Sequence, residues 1–169
     1  MISHAGWSNS GIDAAVEIAH EIGLDVAEPV LIQETNNTVV WLRPHAIIAK
    51  VGTRTGSSEA LVREFEVATA LAGLGAPVAP PLPDSSPVQH DPTGFLVTLW
   101  SRLEHNPDSE PDERTVGSSL ADIHRALAEC GLALPSFRVE LERARVTLFD
   151  DFQMMALPSD EGSQSPIAR

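Results

Sequence analysis

Lysine is almost missing from this chain: Lys50 is the only one among 169 residues, and ten arginines carry the rest of the positive side-chain charge. Cysteine is as scarce. With Cys130 alone, the chain can close no internal disulfide and build no cysteine-based zinc site, and a reducing, cytoplasmic location is the expectation. No stretch approaches the ~20 apolar residues a membrane helix needs. The first twenty residues contain Asp13 and Glu17 and lack the basic start and apolar run of an export signal, so a soluble, unexported protein is expected. Positive charge is also in deficit, with 24 acidic against 11 basic side chains and a net charge of −13. Such a surface repels phosphate backbones and anionic membranes, which excludes nucleic acid and membrane as default partners and leaves a cationic ligand compatible.

What is present suffices for a packed domain, since 43% of the residues are hydrophobic. Ile12, Ala15, Ile18, Ala19 and Ile22 fall at helical spacing over residues 10–23, with Ser10 as the expected cap and Gly23 as the stop. Strand-like runs follow at 30–32, 39–43 and 47–51, with a polar hairpin tip at 33–38 and a turn at Pro44-His45. Leu61, Phe65, Ala68 and Ala72 then mark one face of a helix beginning near Glu59 and ending at the glycines 73 and 75. A strong strand is expected at 95–100, with a weak one near Val88.

The expected class is α+β, an antiparallel sheet of four or five strands with one packed helix, followed by a helical part. The expected organisation is 1–104 for the sheet and its entry helix and 105–115 for an acidic, proline-containing linker. Residues 116–150 form the helical part, and 151–169 a tail that does not fold. In the helical part Val116, Leu120, Ile123 and Leu127 define a helix that should bury His124, and residues 137–149 suggest a weaker one. Trp41 and Trp100 are expected in the core.

Strand alternation puts Lys50 on one face with Ile48, and Ile47, Ala49 and Val51 on the other. On the following helix, Glu64 lies about 60° from Leu61, at the edge of the apolar stripe, whereas Glu66 lies about 140° away. Glu64 alone of the two points toward the sheet. The plainer readings are an edge-strand lysine that deters aggregation and a glutamate on a solvated helix border.

The order of polar hairpin, strand lysine, helix glutamate and strand into linker resembles the small lobe of the aminoglycoside phosphotransferase family, within the protein-kinase-like fold. The likeness runs over roughly residues 12 to 130. Glu34-Thr35-Asn36-Asn37-Thr38-Val39-Val40 is similar to that family's nucleotide loop, Ile48-Ala49-Lys50-Val51 to its lysine strand, and Arg63-Glu64-Phe65-Glu66 to its glutamate helix. Leu120-Ala121-Asp122-Ile123-His124-Arg125-Ala126-Leu127 is similar to its first large-lobe helix.

The resemblance implies a nucleotide cofactor, ATP or GTP with Mg2+. Lys50 would meet the α and β phosphates and Glu64 would hold its ammonium, with Ile48 beside them. The backbone amides of Asn36, Asn37 and Thr38 would cover the phosphates, and the backbone around Ser101, Arg102 and Leu103 would meet the purine edge. The loop departs from a glycine-rich pattern, having no glycine between Pro29 and Val51.

The family's catalytic aspartate is followed five positions later by asparagine. Here the residues five before Asn9, Asn36, Asn37 and Asn106 are His4, Leu31, Ile32 and Ser101. The one aspartate that precedes a phenylalanine, Asp151, is followed by Gln153 where the metal motif has glycine. The expectation is therefore a phosphotransferase of the aminoglycoside or small-molecule kinase type, truncated before its catalytic loop and inactive as an isolated chain. Its acceptor would be a small hydroxylated or cationic substrate, and a partner chain is a possible source of the missing large lobe. The alternative is a nucleotide-binding or partner-binding pseudokinase module.

Overall fold

Gly11, Ala14, Ala15, Ile18 and Ala19, all buried, follow the three-and-four spacing of a helix face, and with four of them glycine or alanine that face can approach a sheet closely. They belong to helix α1 (His4–Glu21). In the computed structural model, residues 4–54, 57–104 and 112–134 are described, with isolated positions at 106, 110, 136, 138 and 145. The chain divides into two units, Met1–Leu132 and Ala133–Arg169, and all the elements below belong to the first. The helix expected at 137–149, the tail at 151–169 and Asp151 with its neighbours lie outside the described elements.

Helix α1 starts upstream of Ser10, which is no cap but a residue of its interior. The Ser-Asn-Ser-Gly run reads locally as a helix start, and packing of the small-residue face outweighs that preference. The helix ends as expected at Gly23, whose φ of 83° suits the amide bonds Gly23 N to His20 O (2.9 Å) and Leu24 N to Ala19 O (2.9 Å).

The strands are β1 (Glu28–Glu34), β2 (Thr38–Arg43), β3 (Ile47–Gly52), β4 (Val88–His90) and β5 (Phe95–Ser101). They form one antiparallel five-stranded sheet in the order β1-β2-β3-β5-β4. Lys50 therefore stands in the central strand, and the edge-strand reading of it falls away.

Alternation assigns the faces. Thr38, Val40 and Leu42 of β2, Ile47, Ala49 and Val51 of β3, and Val97 and Leu99 of β5 are buried, and the apolar ones form the main core with α1. Complete burial of a side chain such as Leu42 or Val40 contributes roughly 1.5–3 kcal/mol. Val39, Trp41, Ile48 and Lys50 occupy the opposite face and are only partly covered.

Helix α2 (Ser57–Gly73) packs on that second face through Leu61, Phe65 and Leu71, and the rings of Phe65 and Trp100 meet edge-on at 5.8 Å. The sheet thus carries two helices, one on each face, where one was expected. The fold class is α+β, with the sheet and flanking helix of a kinase-like small lobe followed by a further helix.

That helix, α3 (Glu113–Glu129), begins inside the stretch read as linker. Asp112 caps it, accepting from the Thr115 amide at 2.9 Å and the Thr115 hydroxyl at 2.8 Å. These two bonds, the hydroxyl's first, hold the Asp112 carboxyl below the usual carboxylate range. α3 touches α2, yet Ala126 is its only buried residue, and Val116 and Leu120 are each 51% exposed. His124 is exposed, not buried as expected. Periodicity identifies an apolar stripe without saying whether another element covers it.

Candidate functional site

Where α2 stops short of covering the second face, a cleft of about 570 Å³ opens between the sheet, α2 and the end of β5. Its floor is mainly apolar: Val39 and Ile48 from the sheet, Ala68 from α2, Val78 and Ala79 from the crossing segment, and Trp100. The volume lies within the range of small-molecule sites.

Three charged residues line it, Lys50, Glu64 and Arg102. The alternation that buries Ala49 under α1 turns Lys50 into the cleft, and Glu64, one turn along α2 from Ala60, reaches it from the side. The Nζ atom donates to both carboxylate oxygens, at 2.5 Å to Oε1 and 2.7 Å to Oε2. The lysine side chain is 24% exposed and the glutamate 46%, so the pair is bordered by solvent and can share its ammonium with an arriving anion. Beneath it the Thr98 hydroxyl donates to the Lys50 carbonyl at 3.3 Å and accepts from Trp100 Nε1 at 2.9 Å, fixing β5 against β3.

At the other end β5 runs into Ser101, Arg102 and Leu103. The Ser101 amide is taken by the Pro80 carbonyl (3.0 Å) and the Arg102 amide by the Ala46 carbonyl (2.9 Å). Leu103 follows at the end of the segment and lines the cleft. The Arg102 guanidinium lies 4.0 Å from the centre of the Trp41 ring, and Arg43, itself paired with Glu28 at 3.1 Å, lies 4.9 Å from it. Trp41 is thus half-buried between two cations, with its Nε1 donating to the His45 carbonyl at 2.8 Å, and is not the core residue expected.

The structure brings Ile48, Lys50, Glu64, Ser101, Arg102 and Leu103 together around the cleft. Asn36, Asn37 and Thr38 are not among its lining residues. Thr38 is fully buried on the α1 face, its hydroxyl 3.4 Å from that of Thr53, so its side chain cannot turn to a ligand in the cleft. Asn36 Oδ1 accepts from Arg54 at 3.4 Å, while Asn37 Oδ1 is buried with no hydrogen-bond partner.

Gln33, which the pattern of the sequence assigned only to the hairpin tip, does line the cleft, next to Ile32. The cause is a register shift between Leu31 and Gln33 that sets Gln33 opposite Val39. Nothing in the residue types announces such a shift.

Elsewhere, buried His90 is held by Glu17 Oε2 and Thr93 Oγ1, both at 2.7 Å, and ties α1 to the turn after β4, a structural role. Among the described residues no group of three His, Cys, Asp or Glu side chains is placed to hold a metal ion, and no helix is long and apolar enough to cross a membrane. Compared with models of known protein families and with curated protein sequences, the chain matches none.

Proposed function

We propose that the cleft binds a nucleoside triphosphate, and that the chain is the nucleotide-holding lobe of a phosphotransferase of the small-molecule kinase type. The observation that carries this reading is the Lys50–Glu64 pair, set by a central strand and a helix at the mouth of a mostly apolar cleft. An apolar floor suits the faces of a base. The backbone at Leu103 suits its edge, and Lys50 suits the phosphates that follow.

A unit charge pair at 4 Å is worth about 4 kcal/mol at the effective dielectric of a protein surface. Competition from Glu64 reduces that, so Lys50 is expected to contribute roughly ten- to a hundred-fold in affinity. Phosphoryl transfer also requires a base and metal-binding carboxylates. The spacing that would mark them does not occur in these 169 residues, so the reading is one of binding, with turnover dependent on groups that these residues do not supply.

Calorimetric titration with ATP, for the wild type and Lys50→Met, is the test. Binding that weakens by the stated factor supports the reading, and absence of heat from the wild type at millimolar ATP removes it. A phosphoryl-transfer assay with magnesium and hydroxyl acceptors should show no turnover by this chain alone. The uncovered apolar stripe of α3, Val116 and Leu120, favours as a second reading a pseudokinase module that joins this pocket to a protein partner.

A further inference from the structure

Strict alternation along β1 would send Gln33 toward α1, because Val30 pairs with Trp41 on the cleft face and successive residues change sides. The extra residue between Leu31 and Gln33 reverses that parity, so that Ile32 and Gln33, though adjacent in sequence, both reach the cleft. Gln33 then falls into register with Val39, which is itself paired with Lys50. The three residues form one row across three strands, with Gln33 and Lys50 roughly 10 Å apart at the usual strand spacing. The neighbouring row, Trp41, Ile48 and Trp100, leads to Ser101, Arg102 and Leu103. Gln33 therefore stands level with the lysine and not with the surface that would hold a base.

Its carboxamide is already steadied. Nε2 donates to the Thr35 hydroxyl at 3.1 Å, and a carboxamide nitrogen carries a second N–H. This matters in a hairpin without glycine, where the backbone cannot approach an anion as closely as a glycine-rich turn allows.

We propose, resting on the nucleotide reading above, that Gln33 is a specificity-determining residue that donates a hydrogen bond to the phosphate chain from the side opposite Lys50. Its side-chain donor replaces part of a backbone cradle, and it selects polyphosphate ligands over the bare nucleoside.

Calorimetric titrations of wild type, Gln33→Glu and Gln33→Leu with ATP and with adenosine test this. Gln33→Glu keeps the shape and places a negative charge beside the phosphates. ATP affinity should fall about ten-fold or more in Gln33→Glu and about three-fold in Gln33→Leu, with adenosine binding unchanged in both. Gln33 is exposed, so both variants should fold, which circular dichroism checks. If Gln33→Glu binds ATP as the wild type does, or loses ATP and adenosine equally, the assignment of Gln33 is wrong and the nucleotide reading stands. If the wild type binds neither ligand, the nucleotide reading fails and this inference goes with it.

Discussion

The close approach of α1 to the sheet can be tested with one methyl group. A Cβ at Gly11 would lie 2.8 Å from Thr38 Oγ1, 2.9 Å from Thr38 Cβ and 3.0 Å from Thr53 Cγ2. The Thr38 Cβ is fixed to the backbone of β2 and cannot rotate away, and Thr38 is fully buried, so Gly11→Ala must push the helix and the sheet apart. Such overpacking costs typically about 1–3 kcal/mol, with a clash against a backbone-fixed atom in the upper part of that range, and alanine gains about 1 kcal/mol over glycine in a helix interior. The clash wins by about 1–2 kcal/mol. In a chain of this length that lowers Tm by roughly 3–6 °C. Gly117, in the exposed part of α3, is the matched control, since nothing lies within 4 Å of the Cβ it would gain. Gly117→Ala should strengthen α3 by about 1 kcal/mol. Thermal denaturation followed by circular dichroism reads the first variant, and amide exchange along α3 the second. A Gly11→Ala protein as stable as the wild type or more so would refute the reasoning.

Three further outcomes are expected. Lys50→Met should retain the fold, because a solvent-bordered ion pair contributes about 1 kcal/mol or less; a Tm within about 4 °C of the wild type alongside lost ATP binding separates a ligand role from a structural one. Leu42→Ala, deep in the α1 face and fully buried, should cost about 2–5 kcal/mol in urea denaturation, and a smaller loss would mean that the core collapses around the missing atoms. The Asp112 carboxyl is held below its usual range by Thr115, so the stabilisation from its cap is complete above that range and lost as pH falls through the lowered value. Protection of the Thr115 amide should fall in that acid window for the wild type and not for Asp112→Asn; identical profiles would show that the cap does not titrate.

The Lys50–Glu64 pairing was legible because two strong periodicities meet there: a period of two sets the face of β3, and steps of 100° place Glu64 beside the apolar stripe of α2. Four of the five strands were legible because each holds a short apolar run bounded by turn residues, whereas β4, Val88-Gln89-His90, was only a weak expectation because it carries a single apolar residue. The start of α1 was not legible, because Ser8, Asn9, Ser10 and Gly11 are cap and turn residue types that imitate a helix start inside the element. Gln33 was hidden by parity. One unpaired residue in an edge strand changes which side chains share a face, and the residue types on either side are the same with or without it. The exposure of His124 and the clamped position of Trp41 depend on what neighbouring elements cover, which periodicity within an element does not encode.

The two arginines beside Trp41 make the indole an optical probe of the segment from Ser101 to Leu103. Its emission depends on the electric field across the ring, and Arg102, 4.0 Å from the ring centre, belongs to the segment that would meet the base under the reading proposed above. Movement of that guanidinium on binding would change the fluorescence of an indole that does not itself line the cleft. A Trp41→Phe protein would separate this signal from those of Trp7 and Trp100, so that occupancy of the cleft could be followed in real time without a label.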